Sequence, residues 1–222
     1  NANLPSLEMV KQASVFDRVA IISEQVDYTM DVHNVMLQGL GDKIVMAEIF
    51  EPGSTDLRNS IVKIINIQPD AIVLNPNAGI TPKVLLNQLA EYSDELDEIQ
   101  IISQLAYLGS DTREDAESLA EGMMIIDVPD IIDADFKEFK ASIGSELQMH
   151  SDFLIASTHD AMLNLINFAL KNDVNDPGFI SNFANTKFQG FIADGKSFDK
   201  GSFLQGLKAG VFKIVDGNPV LQ

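Results

Sequence analysis

The chain of 222 residues contains no cysteine and no tryptophan, and it has 15 lysines and arginines against 33 aspartates and glutamates. Without cysteine, disulfides, thiolate nucleophiles and zinc–thiolate sites are excluded. The formal net charge of −18 argues against nucleic acid or an anionic membrane as a partner, because both are bound through basic surfaces. An exported protein can also lack cysteine, so the absence of cysteine leaves the compartment open.

Sequence motifs of enzymes are also missing. There is no P-loop, no GxSxG and no HExxH, and "SEQVDY" stands where a dinucleotide-binding protein would carry GxGxxG. His159 and Asp160 form the only adjacent histidine–aspartate pair, and neighbours on a helix are expected to point in different directions. We therefore favour a structural interpretation: the histidines serve helix packing and capping, and the acidic pairs lie on the solvated surface. We predict no catalytic residue, no cofactor and no metal ion.

The residues that are present indicate an α/β fold. Five apolar runs rich in β-branched residues, typical of strands in a covered parallel sheet, lie at 19–23, 44–50, 71–75, 99–103 and 123–128. Helical stretches are predicted between them at 30–40, 54–66, 81–92 and 112–120. Ser54 or Thr55 is expected to cap the second helix, and Thr81 the third, ahead of Pro82. The alternation predicts a doubly wound parallel sheet.

The pattern changes after Pro129, which suggests a division of the chain. Residues 133–144 and 151–172 read as helices, and the second is apolar on nearly every face. The last part contains short strands with glycine turns, and "DGN" at 216–218 is typical of a hairpin. We therefore expect an α/β lobe over 19–129, a helical segment over 130–175 and a closing segment over 176–222 that returns to the lobe.

Polar residues follow the predicted strands, at the edge where α/β sheets bind ligands. Tyr28 follows the first strand, Asn75 and Asn77 follow the third, and Gln104 and Tyr107 follow the fourth. A tyrosine there can offer an aromatic face and a hydroxyl to a ligand, or it can pack on its own loop. The asparagines can bind a ligand or serve the turn, since asparagine tolerates left-handed backbone. Both alternatives stay open.

Several segments, taken in order, resemble the type I periplasmic solute-binding proteins of the leucine/isoleucine/valine-binding type. The segments are "RVAIISEQVDY", "EIFEPGSTDLRNSIVKIINIQPDAIVL", "LAEGMMIIDVP", "ASTHDAMLNLINFAL" and "FQGFIADGKSFDKG…FKIVDGNPV". Each segment alone is a weak match, but together they cover nearly all of residues 19–222. Two residues depart from the family pattern: Thr29 replaces a glycine, and His159 replaces a tyrosine.

The resemblance implies a binding site and an incomplete structure. Tyr28 matches the family tyrosine that packs on the ligand, and the loop Asn75–Gly79, which includes Asn77 and Ala78, matches pocket positions, as does the segment Gln104–Tyr107. Residues 130–175 match helices of the first lobe, which otherwise has no counterpart in this chain. The chain is therefore either cut from a longer protein or a natural half, and we expect it to bind ligand weakly by itself.

The resemblance also implies a function. We expect an extracytoplasmic solute-binding protein, with no signal peptide in this chain, that captures a small polar solute such as an amino acid for the permease subunits of an ABC transporter. The alternative is a sensor or regulatory domain on the same fold, such as a peptidoglycan-synthase activator. An enzyme of nucleotide-binding α/β type is disfavoured by the missing glycine loops. The apolar helix at 153–170 should be covered either by its own lobe in a rearranged packing or by a second copy of the chain, and we favour the homodimer.

Overall fold

The structure, a computed structural model, describes residues 4–107, 112–113, 115–127, 134–148, 152–198 and 209–222. The chain forms two compact units. The sheet unit consists of Ala2–Asp127 with Ala209–Gln222, and the helical unit consists of Val128–Lys208. Of the helices in the described ranges, none is long and apolar enough to cross a membrane.

The sheet unit alternates strands and helices as predicted. Its strands are β1 (Val19–Glu24), β2 (Ile44–Phe50), β3 (Ala71–Asn75), β4 (Gln100–Gln104), β5 (Met124–Asp127), β6 (Gly210–Val215) and β7 (Asn218–Leu221). Its helices are α1 (Leu4–Ala13), α2 (Asp27–Leu40), α3 (Arg58–Ile67), α4 (Thr81–Ala90), α5 (Ser93–Leu96) and α6 (Glu117–Ala120), with 3-10 turns at Gly41–Lys43 and Leu105–Tyr107. The predicted fold class is confirmed, although α1 was not anticipated.

The seven strands form one sheet in the order β2-β1-β3-β4-β5-β6-β7. β1 to β5 run parallel, whereas β6 pairs antiparallel with β5, and β7 pairs antiparallel with β6. The turn between the last two strands is Asp216–Gly217, with φ of 50° and 73°, and positive values at both residues are what a two-residue hairpin turn requires. The predicted hairpin is confirmed.

Apolar side chains cover both faces of the sheet, because successive residues of a strand point to opposite sides. Val19 and Ile21 pack with residues of α1 and α2, such as Met9 and Met36. Ala20, Ile22 and the alternate residues of β3 pack instead with residues of α3 and α4. The parallel strands therefore read as continuous apolar runs, because helices bury each face.

Three local predictions for the sheet unit are wrong. β2 is an edge strand and leaves Ile49 45% exposed, whereas its apolar sequence predicted a strand of a covered sheet. α3 begins at Arg58, because the segment before it is tied by its backbone to Gln88 of α4, so neither Ser54 nor Thr55 caps a helix. Thr81 is the first residue of α4 rather than its cap, and its hydroxyl lies 3.3 Å from Glu24 Oε1.

The helical unit contains α7 (Ala134–Ser142), α8 (Ser145–Gln148), α9 (Asp152–Ala169) and α10 (Phe179–Ala184). Its small core includes Phe136, Ile155 and Ala156. A series of edge-to-face and tilted ring contacts joins Phe168, Phe179, Phe183, Phe188 and Phe198. This series holds the chain after α10 against α9.

The predicted division at 130–175 and 176–222 stays a prediction. Residues 176–198 group with the helical unit, and the chain rejoins the sheet unit at Ala209. The buried carboxylate of Asp160 on α9 provides the physical reason. It accepts the backbone N–H groups of Phe191, Ile192 and Ala193 at 2.8–3.0 Å, so it fixes that loop to the helix.

Helix α9 is not buried on every side. Ile155 and Ala156 are buried, but Met162, Leu165 and Ile166 are 52%, 39% and 50% exposed. Leu163 and Phe168 are partly buried, whereas the side chain of Leu154 lies outside the described residues. The homodimer predicted through 153–170 stays a prediction.

Candidate functional site

The carboxyl ends of β1, β2, β3 and β4 lie side by side at one edge of the sheet. Ser23 is in register with Ile49 on one side and with Asn75 on the other, and Leu74 is in register with Ser103. Because these strands are parallel, the loops that follow them leave the same edge, which we call the carboxyl edge. The sequence prediction that these loops cluster is confirmed.

Asn75 is the centre of a buried polar network at this edge. Its side chain is 0% exposed. Its Nδ2 donates to Ser23 Oγ at 2.9 Å and to the Thr29 carbonyl at 2.7 Å. Its Oδ1 accepts from Gln104 Nε2 at 2.8 Å. The sequence suggested either ligand binding or a turn role for Asn75. The structure gives it a third role, because its buried side chain links β1, α2 and β4 through hydrogen bonds.

Gln104 extends the network to the next loop. It is 2% exposed, and its Nε2 also lies 3.3 Å from the Pro76 carbonyl. Two acceptors around Nε2 fix the orientation of the amide, because only the nitrogen can donate. Its Oε1 then has no hydrogen-bond partner among the described residues. A buried acceptor without a donor is rare in folded proteins and calls for an explanation.

Tyr107 lies in the core of the sheet unit rather than on the edge. It is 0% exposed and contacts the apolar cluster that includes Ile72 and Leu74. Its hydroxyl has no hydrogen-bond partner among the described residues. Burial, with a smaller contribution from the negative charge of Glu24, raises the pKa of Tyr107 well above its ordinary value. Tyr107 was predicted to contact the ligand, but its side chain is buried and does not reach the accessible surface.

Three predicted contacts remain accessible at the carboxyl edge. Tyr28, in the first turn of α2, is 38% exposed, and the side chains of Asn77 and Ala78 are exposed. Burial of part of the ring raises the pKa of Tyr28, and the nearby carboxylate of Asp127 raises it further. These three residues can contact a solute directly, whereas Asn75, Gln104 and Tyr107 lie beneath them.

Glu24 is the residue of this edge that the sequence prediction missed. It ends β1 and is 4% exposed. Its carboxylate accepts the Asn77 N–H at 2.8 Å, the Thr81 hydroxyl at 3.3 Å and the Gly53 N–H at 3.4 Å. Glu24 therefore links the loops after β2 and β3 to the end of β1. The sequence feature that could have identified Glu24 is its position as the first acidic residue after the apolar run 19–23.

His33 and Thr29 complete the network from α2. Ser23 Oγ lies 2.9 Å from His33 Nδ1, and because Oγ already accepts from Asn75, its hydroxyl proton is placed to donate to that nitrogen. Burial lowers the pKa of His33, which favours the neutral ring. Thr29, which replaces the family glycine, is buried, and its hydroxyl donates to the Glu24 carbonyl.

The adjacent pair His159–Asp160 does make contact, contrary to the sequence expectation. His159 Nδ1 lies 3.0 Å from Asp160 Oδ1. The aspartate nevertheless uses both oxygens to hold the backbone of 191–193, and the His159 ring packs against Phe139 and Phe191. The contact therefore serves packing. Nowhere in the described ranges do three or more histidine, aspartate or glutamate side chains group as metal ligands.

Two cavities are lined by residues other than those of the carboxyl edge. One of about 720 Å³ opens at the amino ends of β4 and β5, and its wall includes Asp94, Asp97, Glu98 and Glu121. The other, of about 390 Å³, lies in the helical unit and is lined mainly by apolar side chains, including Phe183, Phe188 and Phe198. We place the candidate site at the carboxyl edge because exposed polar residues, a buried network and strand topology coincide there.

Comparison with solved structures gives the identity of the fold. A leucine-binding protein from Thermotoga maritima superposes with a TM-score of 0.78 and 14% identity over 99% of this chain and 64% of that chain. A periplasmic binding protein type 1 from Bordetella pertussis gives 0.76 and 17% over 100% and 65%. A solute-binding protein of an ABC transporter from R. palustris, in complex with benzoate, gives 0.75 and 12% over 99% and 61%.

The chain has the fold of the type I periplasmic binding proteins. It spans less than two thirds of the length of these three solved chains. No family profile and no curated protein sequence matches it. Open α/β sheets bind ligands at the carboxyl ends of their strands, and the sheet unit has Tyr28, Asn77 and Ala78 exposed there.

Proposed function

We propose that this chain is the ligand-binding part of an extracytoplasmic solute-binding protein that captures a small polar solute for an ABC transporter. In this proposal the partner proteins are the permease subunits of the transporter, and the chain works outside the cytoplasm. The similar solved structures that support this role include a leucine-binding protein and a solute-binding protein of an ABC transporter in complex with benzoate. The solute is transferred without chemical change, so the protein is not an enzyme.

The observation that carries the proposal is the arrangement of the carboxyl edge. Exposed Tyr28, Asn77 and Ala78 stand above a buried network formed by Glu24 and Asn75. The network holds the loops in place before a solute binds, and this pre-organisation reduces the entropic cost of binding. The buried polar groups mostly bond to one another. Ser23 and His33 form a serine–histidine hydrogen bond at the edge, but both are buried and Ser23 Oγ is also held by Asn75 Nδ2, so the pair does not face the exposed residues. This arrangement suits binding rather than bond cleavage.

A titration followed by NMR can test the proposal on the chain itself, because it detects weak binding. Amino acids and small carboxylates are added, and the backbone amides of residues 24–28, 51–54 and 75–80 are monitored. We expect saturable shifts confined to these loops, and mass spectrometry should recover the solute unchanged. Tyr28→Ala should weaken binding about tenfold.

Leu7→Ala is the control. Leu7 is 54% exposed on α1, so its substitution should leave binding unchanged. Conversion of an added solute into a product would contradict the proposed function. Equal affinity of Tyr28→Ala and the unmodified chain would remove Tyr28 from the site.

A further inference from the structure

We propose that the cavity of the helical unit is a second binding site, which takes a small, neutral, apolar molecule with an aromatic ring. Its volume of about 390 Å³ lies in the range of roughly 300–1,000 Å³ that is usual for small-molecule sites. We call this cavity the aromatic recess, and its apolar wall includes Ala161, Leu165, Phe183, Phe188, Ile192 and Phe198. The inference is independent of the solute site proposed at the carboxyl edge.

Three phenylalanines give the aromatic recess its chemical character. The ring centroids of Phe183 and Phe188 lie 5.2 Å apart in a tilted arrangement. Those of Phe188 and Phe198 lie 5.0 Å apart, edge to face at 70°. Aromatic rings favour such neighbours over other apolar groups, since the edge of one ring is attracted to the face of another. A ligand ring can therefore extend a series of contacts that the wall already contains.

The polar residues of the wall are Ser157, Asp160 and Asn164, and all three are engaged within the protein. The Asp160 carboxylate accepts the backbone N–H groups of residues 191–193. Asn164 Nδ2 donates to the Gln189 carbonyl at 2.7 Å, and the Gln189 N–H donates to Asn164 Oδ1 at 2.9 Å. Ser157 also has a partner. A polar ligand group would have to displace these bonds or stay unpaired, which is costly, so the wall favours a neutral, apolar ligand.

The walls of the aromatic recess are anchored to α9 on two sides, so the recess cannot close on itself. Asp160 and Asn164 bond the chain at 189–193 to α9. Phe168 of α9 contacts the rings of Phe179 and Phe183 of α10. Collapse would break these contacts, whereas an empty recess forfeits packing contacts and water in an apolar cavity finds few partners. A ligand of the right size is therefore the favourable way to fill it.

The entrance of the aromatic recess is open and uncharged. Ala161 is exposed and Leu165 is 39% exposed, although both belong to the wall. The sequence from 161 to 170 contains no charged residue, in a chain whose formal net charge is −18. A neutral molecule can therefore enter from solvent along a surface that offers no partner to an ion.

Two probes of the same shape can test this inference. Toluene and phenol differ only in a methyl group that is replaced by a hydroxyl. Each is titrated into the chain while NMR follows the backbone amides of residues 160–165 and 188–193. We expect saturable, one-to-one shifts with toluene, and binding of phenol that is weaker by about tenfold or more, because the phenol hydroxyl would leave water without gaining a free partner in the wall.

Variants that fill the aromatic recess supply the matched comparison. Ala161→Leu adds three carbon atoms to the wall and should weaken toluene binding about tenfold. Leu165→Phe narrows the recess one turn further along α9 and should act in the same direction. Ala169→Leu adds the same atoms to α9 at a residue outside the wall, so toluene affinity should not change. Unchanged hydrogen-exchange protection of the amides of 191–193 would show that the frame is intact in each variant.

Several outcomes would overturn the inference. Toluene shifts that do not saturate, or equal toluene affinity of Ala161→Leu and the unmodified chain, would remove the ligand site. Shifts of the same amides that depend on protein concentration without any probe would show that a second copy of the chain occupies the recess instead. Toluene shifts confined to residues 24–28 and 75–80 would overturn the recess as a site and leave the proposed function at the carboxyl edge intact.

Discussion

A Cβ atom added to Gly190 would lie 2.0 Å from Oδ1 of Asp160. The aspartate approaches this glycine so closely because it bonds the three backbone N–H groups that follow it. Gly190 also has φ of 140°, which side-chain-bearing residues rarely adopt. Both the space and the backbone conformation at position 190 therefore require glycine.

Gly190→Ala is expected to lower the free energy of unfolding of the helical unit by about 3 kcal/mol or more, because it adds both a clash and backbone strain. Gly195→Ala is the matched control: Gly195 has φ of 68°, and nothing lies within 4 Å of its added Cβ, so it should cost only about 1 kcal/mol. Hydrogen exchange of the amides of 191–193 measures the difference. Equal protection in the two variants would contradict the proposed role of Asp160.

Asn75 and Asn77 lie two residues apart, but their substitution should change stability to very different extents. Asn75→Ala leaves buried groups of Ser23, Thr29 and Gln104 without a partner, so it should lower the free energy of unfolding by about 2–4 kcal/mol. Asn77→Ala removes an exposed side chain and keeps the backbone N–H that bonds Glu24, so stability should change by about 0.5 kcal/mol or less. Urea unfolding followed by circular dichroism checks both values, and a similar loss in both variants would contradict the assignment.

The strands and the site edge could be predicted from the sequence because their signals are local. The run "AIVL" is apolar on both faces, and with Asn75 it forms β3 as Ala71–Asn75. The hairpin at Asp216–Gly217 follows from turn chemistry in the same way. Each of these signals depends on a few neighbouring residues, and tertiary contacts did not override it.

The distribution of roles among the site residues depends on long-range contacts that the sequence does not display. Asn75 and Asn77 look alike in the sequence, but Asn75 bonds partners 29 to 52 residues away and is buried, whereas the side chain of Asn77 is exposed. Tyr107 is likewise buried by contacts with residues distant in sequence, such as Ile72 and Leu74. Arg58, not Ser54, begins α3 because Gln88 of α4 holds the intervening backbone.

Tyr107→Phe should keep or slightly raise stability. The hydroxyl of Tyr107 is buried and has no partner among the residues that the structure describes, so removing it should abolish a desolvation cost and lose no hydrogen bond. We expect the free energy of unfolding to rise by about 1 kcal/mol or less. Tyr92→Phe is the control, because Tyr92 is only partly buried, and it should leave stability unchanged. A clear loss of stability in Tyr107→Phe would show that the hydroxyl has a partner in solution.

His33 predicts how stability depends on pH. Burial lowers the pKa of His33 below its ordinary value of 6.5, so the unfolded chain takes up the proton first as pH falls. The stabilisation is fully present above pH 6.5 and is lost between that value and the lower pKa of the folded protein. His33→Asn can keep an acceptor for Ser23 Oγ but does not titrate. The stability difference between the unmodified chain and this variant should therefore be constant above pH 6.5 and shift against the unmodified chain below it. Urea midpoints across this range test the prediction, and a difference that stays constant down to the range where carboxylates titrate would show that His33 is not shielded from solvent.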